Sequence, residues 1–349
     1  MLQAATGAVL HERLTEQADV VYDPFMGRGT TLIEAALHGR VPCGCDVNPL
    51  SAVLTWPRLR PPELDEIVQR LGGLDYSAAG DQPDDLLVFY HRETLKQIGA
   101  LRKYLNDRAA SSKNDLVDDW IRMVAVNRLT GHSPGFFSVY TMPPNQAVSA
   151  EAQRKINEKR GQQPAAKNVA EVVARKSRQL LSDCNGEVRR MLSGVAYRGQ
   201  LLTQSCDRVP EIKSGSVSLV VTSPPFLDVV DYAGDNWLRC WFIGVDPATV
   251  KLTVPKKVDE WQRAMTEGFR ELARVLRPGG HVAFEVGEVR NGKVKLEEAV
   301  VPCGMAAGLE PLLVLINDQK FTKTANCWGV DNNSKGTNTN RIVVFKKAQ

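Results

Sequence analysis

The feature that most constrains this chain is the apolar run Ala18-Asp19-Val20-Val21-Tyr22, which stops at Asp23-Pro24 and enters the turn Phe25-Met26-Gly27-Arg28-Gly29. Thr30 to His38 then reads as an amphipathic helix, so the segment is strand, glycine-rich loop, helix. Val41-Pro42-Cys43-Gly44-Cys45 predicts a second short strand closed by Asp46, with Asn48-Pro49 suited to cap and open the next helix.

The pattern breaks after Trp56. From Arg58 to about Tyr197 the chain is Pro-rich at Pro57, Pro61 and Pro62, then shows helical patterns at 92–106, 114–128 and 165–193, with a loop between the last two and no good strand. Strand patterns resume at Gly199 to Thr203, Ser216 to Thr222 and Gly280 to Val286, the last preceded by a helix from Trp261 to Leu276. Pro311 to Asn317 and Arg341 to Lys346 close the chain as two further strands. A polar stretch, Asn332 to Asn340, reads as a hairpin tip. Strands alternating with helices predict an α/β fold, a doubly wound and mostly parallel sheet with a helical insertion between its second and third strands. The expected division is 1–57 core, 58–196 insertion and 197–349 core.

At 349 residues, with 43% hydrophobic and 24% charged residues, the chain can bury a large core, and no apolar run reaches the roughly 20 residues that span a bilayer. No membrane role is expected, and the N-terminus lacks the pattern of a secretory signal. Seven scattered cysteines suit a reducing compartment, so the expected address is cytoplasmic. Cys43-Gly44-Cys45 is too tightly spaced for a zinc knuckle and has no matching second pair, so no metal is expected.

Chemistry is expected where strand ends meet helix starts, the usual ligand position of an open α/β sheet. Gly27 and Gly29 allow a ligand close to the backbone, and Thr30 and Thr31 offer hydroxyls and N–H groups. Asp46, at the tip of the next strand, suits the two hydroxyls of a ribose. Leu32 stands where a dinucleotide fingerprint has its third glycine, and Asp23 would repel a pyrophosphate while pairing with an ammonium. A nucleoside carrying an amino acid fits better.

Thr222-Ser223-Pro224-Pro225-Phe226 ends another strand. Two prolines fix an extended backbone and leave carbonyl oxygens in search of donors. An exocyclic amino group is such a donor. Accepting its protons at the Ser223 hydroxyl and the Pro224 carbonyl favours a pyramidal nitrogen with its lone pair turned toward an electrophile. Phe226 is placed to stack on a base flipped out of a duplex.

Together these residues resemble the DNA amino-methyltransferase family. Asp23, Pro24, Phe25, Gly27, Gly29, Thr30 and Thr31 look like its loop for the methionine end of S-adenosylmethionine, Asp46 with Asn48 like its ribose site, and Ser223-Pro224-Pro225-Phe226 like its catalytic tetrapeptide. The resemblance implies a Rossmann-like methyltransferase acting on double-stranded DNA, with cytosine N4 the first choice of target and adenine N6 the alternative. It also admits a cognate restriction endonuclease as partner. The residue that contacts the cofactor's adenine has no clean match; Ser205 and Asp207 are the candidates. The cofactor motif precedes the catalytic one, the reverse of the order usual for this spelling.

Between 151 and 200 bases outnumber acids, which a phosphate-contacting face requires. Arg154, Lys155 and Arg175 are its candidate contacts. His132, Tyr140 and Asn145, in a loop punctuated by glycine and proline, are candidates for reading bases. The aromatics of that loop, Phe136 and Phe137 included, serve equally well to pin it to a core. Three other readings compete. A cytosine C5 methyltransferase needs a nucleophilic cysteine at a strand end, and neither Pro42-Cys43 nor Pro302-Cys303 stands at one. An RNA amino-methyltransferase would share the Pro-Pro chemistry, and an inactive nucleic-acid-binding protein would share the fold.

Overall fold

The computed structural model describes residues 4–78, 82–142, 147–224, 232–250, 255, 257–289, 294–318 and 339–349. Two compact units form: Met1–Thr55, Arg190–Val230 and Leu252–Gln349 make the first, and Trp56–Arg189 with Asp231–Lys251 make the second.

The first unit is built on strands β1 (Val20–Asp23), β2 (Val41–Asp46), β3 (Gln200–Thr203), β4 (Val217–Thr222), β5 (Leu276–Val289), β6 (Val294–Lys295), β7 (Leu309–Asp318) and β8 (Thr339–Lys347). Their order is β3-β2-β1-β4-β5-β8-β7, with β6 paired to β5 off this path. The first five run parallel, and β8 enters antiparallel between β5 and β7. The order turns back at β1, where β2 lies on one side and β4 on the other, which puts the sheet's topological switch point at the carboxyl ends of β1 and β4.

Helices cover both faces, which is why β4 is apolar and buried from Val217 to Thr222. Helices α1 (Ala4–Leu14) and α2 (Thr30–Leu37) cover one face, where Leu10 and Ala35 pack on Val21, Leu219, Val221 and Ala283. On the other face α11 (Val258–Val275) and α12 (Leu296–Ala306) bring Trp261, Phe269, Leu272 and Val300 against Tyr22, Val220, Val282 and Phe284. Strand β7 is the sheet's edge, and Leu312 to Ile316 stand exposed on it.

The second unit is helical. After α3 (Pro49–Leu59), which begins in the first unit, come α4 (Leu64–Gly72), α5 (Arg92–Ala110), α6 (Leu116–Val126), α7 (Ala150–Arg160), α8 (Val169–Leu180), α9 (Gly186–Ala196), which passes back into the first unit at Arg190, and α10 (Tyr232–Ile243). The expected helix at 165–193 is two helices. Leu181 ends the first, and Asn185 opens the second by accepting from the N–H groups of Glu187 and Val188.

The boundaries also differ from 58–196 and 197–349, because α10 joins the helical unit rather than the sheet. Trp237 Nε1 donates to Ala147 O at 3.1 Å and its ring lies 6.0 Å from Phe89. Arg102 stacks 4.9 Å over Trp241 and donates to its carbonyl at 2.7 Å. Burying two indoles there outweighs chain proximity to β4. Among the described residues no helix is long and apolar enough to cross a membrane, and no cluster of metal-ligating side chains occurs.

Candidate active site

The loop after β1 turns sharply because Gly27 and Gly29 take φ of 48° and 77°, left-handed values that favour glycine. Gly29 is fixed for a second reason: a Cβ there would lie 2.2 Å from Thr55 Oγ1 of α3. The loop is tied to the neighbouring strand by Asp46, whose two carboxylate oxygens accept from Gly27 N–H at 2.8 Å and Asn48 N–H at 2.9 Å. Met26 N–H donates to Cys45 O at 3.0 Å, and Asn48 Oδ1 accepts from Leu50 N–H at the start of α3. A carboxylate has about four acceptor sites, so Asp46 keeps acceptor capacity beyond these two bonds. Burial raises the Asp46 pKa, and the two N–H donors oppose that shift.

Asp23 joins the loop to β4. Its Oδ1 accepts from the Thr222 hydroxyl at 2.6 Å and from Phe25 N–H at 3.1 Å, and the residue is 4% exposed. Burial pushes its carboxyl up to about 6, against the hydrogen bonds from Thr222, Phe25 and Thr31. A buried carboxylate of this kind gains most from a cation placed beside it.

Val21 and Tyr22 of β1 pair with Leu219 and Val220 of β4, so the two strands end side by side, about 4.8 Å apart. Ser223, half-buried, and Pro224, buried, continue directly from Thr222. The structure therefore brings together Asp23, Pro24, Phe25, Gly27, Gly29, Thr30, Thr31, Asp46 and Asn48 with Ser223 and Pro224 at one edge of one sheet. Ser205 follows β3 beside them: Gln204 N–H donates to Asp46 O at 3.1 Å, and Ser205 itself is exposed. Pro225 and Phe226 lie outside the described residues.

His132, Tyr140, Arg154, Lys155 and Arg175 belong to the second unit, and Asn145 is outside the described residues. Of the loop's aromatics, Phe136 and Phe137 are buried at 6% and 1% exposure, which settles them as pins rather than stacking platforms. Arg154 and Lys155 are already paired with carboxylates, Asp85 at 2.8 Å and Glu151 at 2.7 Å.

Two groups at the site carry weight that their sequence context hides. Thr222, half of the bond to Asp23, looks from sequence like one more β-branched strand residue. Glu285 on β5 is 2% exposed and lies one residue beyond Phe284, which is in register with Thr222. A lone acid in the apolar run Val282 to Val286 is its only signal.

An antiparallel strand slotted next to the far edge of a parallel sheet whose order switches between β1 and β4 decides the architecture. The fold is that of a Rossmann-like methyltransferase. The expected resemblance to DNA methyltransferases has support from a curated relative. The type II methyltransferase M.MvaI of Kocuria varians is 31% identical over 87 residues. That match takes in 25% of this chain and 18% of the relative, so the chain spans under a fifth of the length of the curated protein it matches. No family model matches the chain.

Among solved structures, a Thermus thermophilus protein described as a candidate DNA modification methylase is 20% identical with a TM-score of 0.25. The match covers 39% of this chain and 47% of that one. Geranyl diphosphate C-methyltransferase of Streptomyces coelicolor A3(2) is 8% identical with a TM-score of 0.41, over 99% and 77% of the two chains. Likeness at that level fixes nothing about the reaction.

Proposed function

We propose that this methyltransferase-fold chain uses S-adenosylmethionine to methylate an exocyclic amino group of a flipped DNA base, cytosine N4 ahead of adenine N6. The observation that carries the reading is the Asp23–Thr222 hydrogen bond, which locks the glycine-loop end of β1 to the strand that presents Ser223 and Pro224. A donor site and an acceptor site for the methyl group thus share one rigid edge.

The cradle fits the donor. Gly27 is exposed and has no side chain to block a ligand, Gly29 lets the loop pack closely on Thr55, Asp46 has capacity for a ribose diol, and Asp23 offers a buried carboxylate to an ammonium. When bound, S-adenosylmethionine supplies an electrophilic methyl group on a sulfonium. The rest of the work falls to the chain. An aromatic exocyclic amine is a poor nucleophile because its lone pair is delocalised into the ring. The Ser223 hydroxyl and the Pro224 carbonyl accept its two N–H bonds and hold the nitrogen pyramidal, and the proline ring keeps that carbonyl from swinging away.

Incubation of unmethylated DNA with the protein and labelled S-adenosylmethionine, followed by mass spectrometry of the nucleosides, tests the reading. N4-methylcytosine is the expected product and N6-methyladenine supports the alternative target. Label in C5-methylcytosine, or only in a transcript of the same sequence, refutes it.

A further inference from the structure

We propose that the helical unit carries a phosphate-binding patch around Phe136, in which Arg175 and Lys176 of α8 meet the backbone of a nucleic-acid duplex while Arg154 and Lys155 take no part. The choice of duplex DNA as the partner rests on the proposed function; the patch rests on its own geometry.

Phe136 is the hub. The Arg128 guanidinium lies 3.9 Å from its ring centroid, and Lys167 Nζ donates to its carbonyl at 2.6 Å and to Ser138 O at 2.8 Å. His132, exposed, sits with its ring 6.3 Å from the same phenyl. Helix α8 adds Arg175, exposed, and Lys176, whose Nζ donates to the neutral Gln179 Oε1 at 2.8 Å. Carbonyls and an amide orient the two ammonium groups without neutralising them.

Each ammonium group is partly buried with a guanidinium near it. Lys167 is held below its ordinary pKa by burial and then by the charge of Arg175, and Lys176 by burial and then by the charge of Arg128. Glu171, one helical turn before Arg175, makes no ion pair with it among the described residues. Like charges gathered this way weaken the fold unless an anion joins them. Arg154 and Lys155, by contrast, already have carboxylate partners. A repeating anion that offers an oxygen to each cation at once is the chemistry that completes the patch, and a phosphodiester backbone is one.

The test is the salt dependence of binding to a fluorescein-labelled duplex of mixed sequence, read by anisotropy on the full chain. Losing two phosphate contacts lowers the slope of log Kd against log salt by about 1.8, so between about 50 and 200 mM salt the wild-type advantage over R175A/K176A should shrink roughly twelvefold. Lys103→Ala, which removes an exposed cation already paired with Asp107 at 2.6 Å, should leave the slope unchanged. An unaltered slope in R175A/K176A, or an equal drop in R154A/K155A, overturns the proposal. Tighter binding of the matching RNA transcript overturns duplex DNA as the partner. Calorimetry of S-adenosylmethionine binding on the same preparations separates the two readings: no cofactor binding with the expected slope change sinks the methyltransferase function and upholds the patch.

Discussion

Replacing Asp23 by Asn keeps the shape of the residue that joins the two loops and removes its charge. In the folded chain burial raises this carboxyl from 3.8 to about 6. At 1.36 kcal/mol per pKa unit, the ionised form opposes folding by about 3 kcal/mol once the pH exceeds both values. A raised carboxyl pKa means that the native state holds its proton more tightly than the unfolded chain does. Stability from this group is therefore full below pH 3.8 and is lost as pH rises through about 6. A side-chain amide cannot ionise, so D23N should be more stable than wild type by about 3 kcal/mol at pH 7.5, or roughly 4 °C in Tm for a chain of this length, with the gap closing toward pH 4. The amide oxygen still accepts from Thr222 and Phe25. Cofactor affinity should move the opposite way, because an ammonium loses a charge-assisted bond of about 1.5–3 kcal/mol, a weakening of roughly 10- to 100-fold. Thermal melts of both proteins at the two pH values, with calorimetry of S-adenosylmethionine, read both effects. A variant less stable than wild type at pH 7.5, or a gap independent of pH, would refute the electrostatic account of Asp23.

Ser223→Ala should cost on the order of 10²–10³ in turnover, by analogy with loss of one transition-state hydrogen bond, while calorimetry shows cofactor binding intact. Asp46→Ala unties Gly27 and Asn48 as well as the ribose site, so cofactor affinity should fall by at least about tenfold with little change in Tm. Gly29→Ala combines a φ of 77° with a Cβ 2.2 Å from Thr55 Oγ1; it should lose about 2 kcal/mol or more in urea unfolding. Thr55→Ala restores only part of that, since the Thr55 Cβ would remain 2.8 Å away. His11 is fully buried, and burial lowers its pKa from 6.5 to about 4. The native state thus excludes its proton, and about 3 kcal/mol of stability present above pH 6.5 is lost as pH falls through 4; His11→Leu should flatten that part of the pH profile in chemical unfolding.

The first βα unit was legible because each signal repeats another: apolar strand, left-handed glycines, then a helix whose Leu32, Ala35 and Ala36 are all buried. The same holds for β4, where an apolar run ends in two prolines. Helix α7 was not legible. Its Ala150–Arg160 sequence has little apolar face, and the helix is defined at its ends, by the Ser149 side chain accepting from Ala152 N–H and by Gly161 at φ 57°. Helix α4 was hidden behind Pro61-Pro62, although Glu63 and Glu66 form a capping box. Membership of α10 was beyond any local signal, because the partners of Trp237 and Trp241 lie more than 85 residues earlier in the chain. Of the site, residues at strand ends could be placed from motif spelling. Glu285 and the Asp23–Thr222 bond depend on which strands become neighbours, and strand order is not written in any one segment.

That strand order has a consequence for synthesis. Asp23 and Thr222 are 199 positions apart, and β2 must wait for β3 to cover its outer side. A ribosome adding about 5–20 residues per second leaves β1 and β2 without their flanking strands for roughly 10–40 s. Meanwhile the helices of Trp56–Arg189 emerge, and α4 must wait for α8 to pack against it. The helical unit is completed only by α10, which follows β4 in the chain, and Val20 to Cys45 remain a sticky apolar ribbon that invites chaperones until the second half of the sheet is translated.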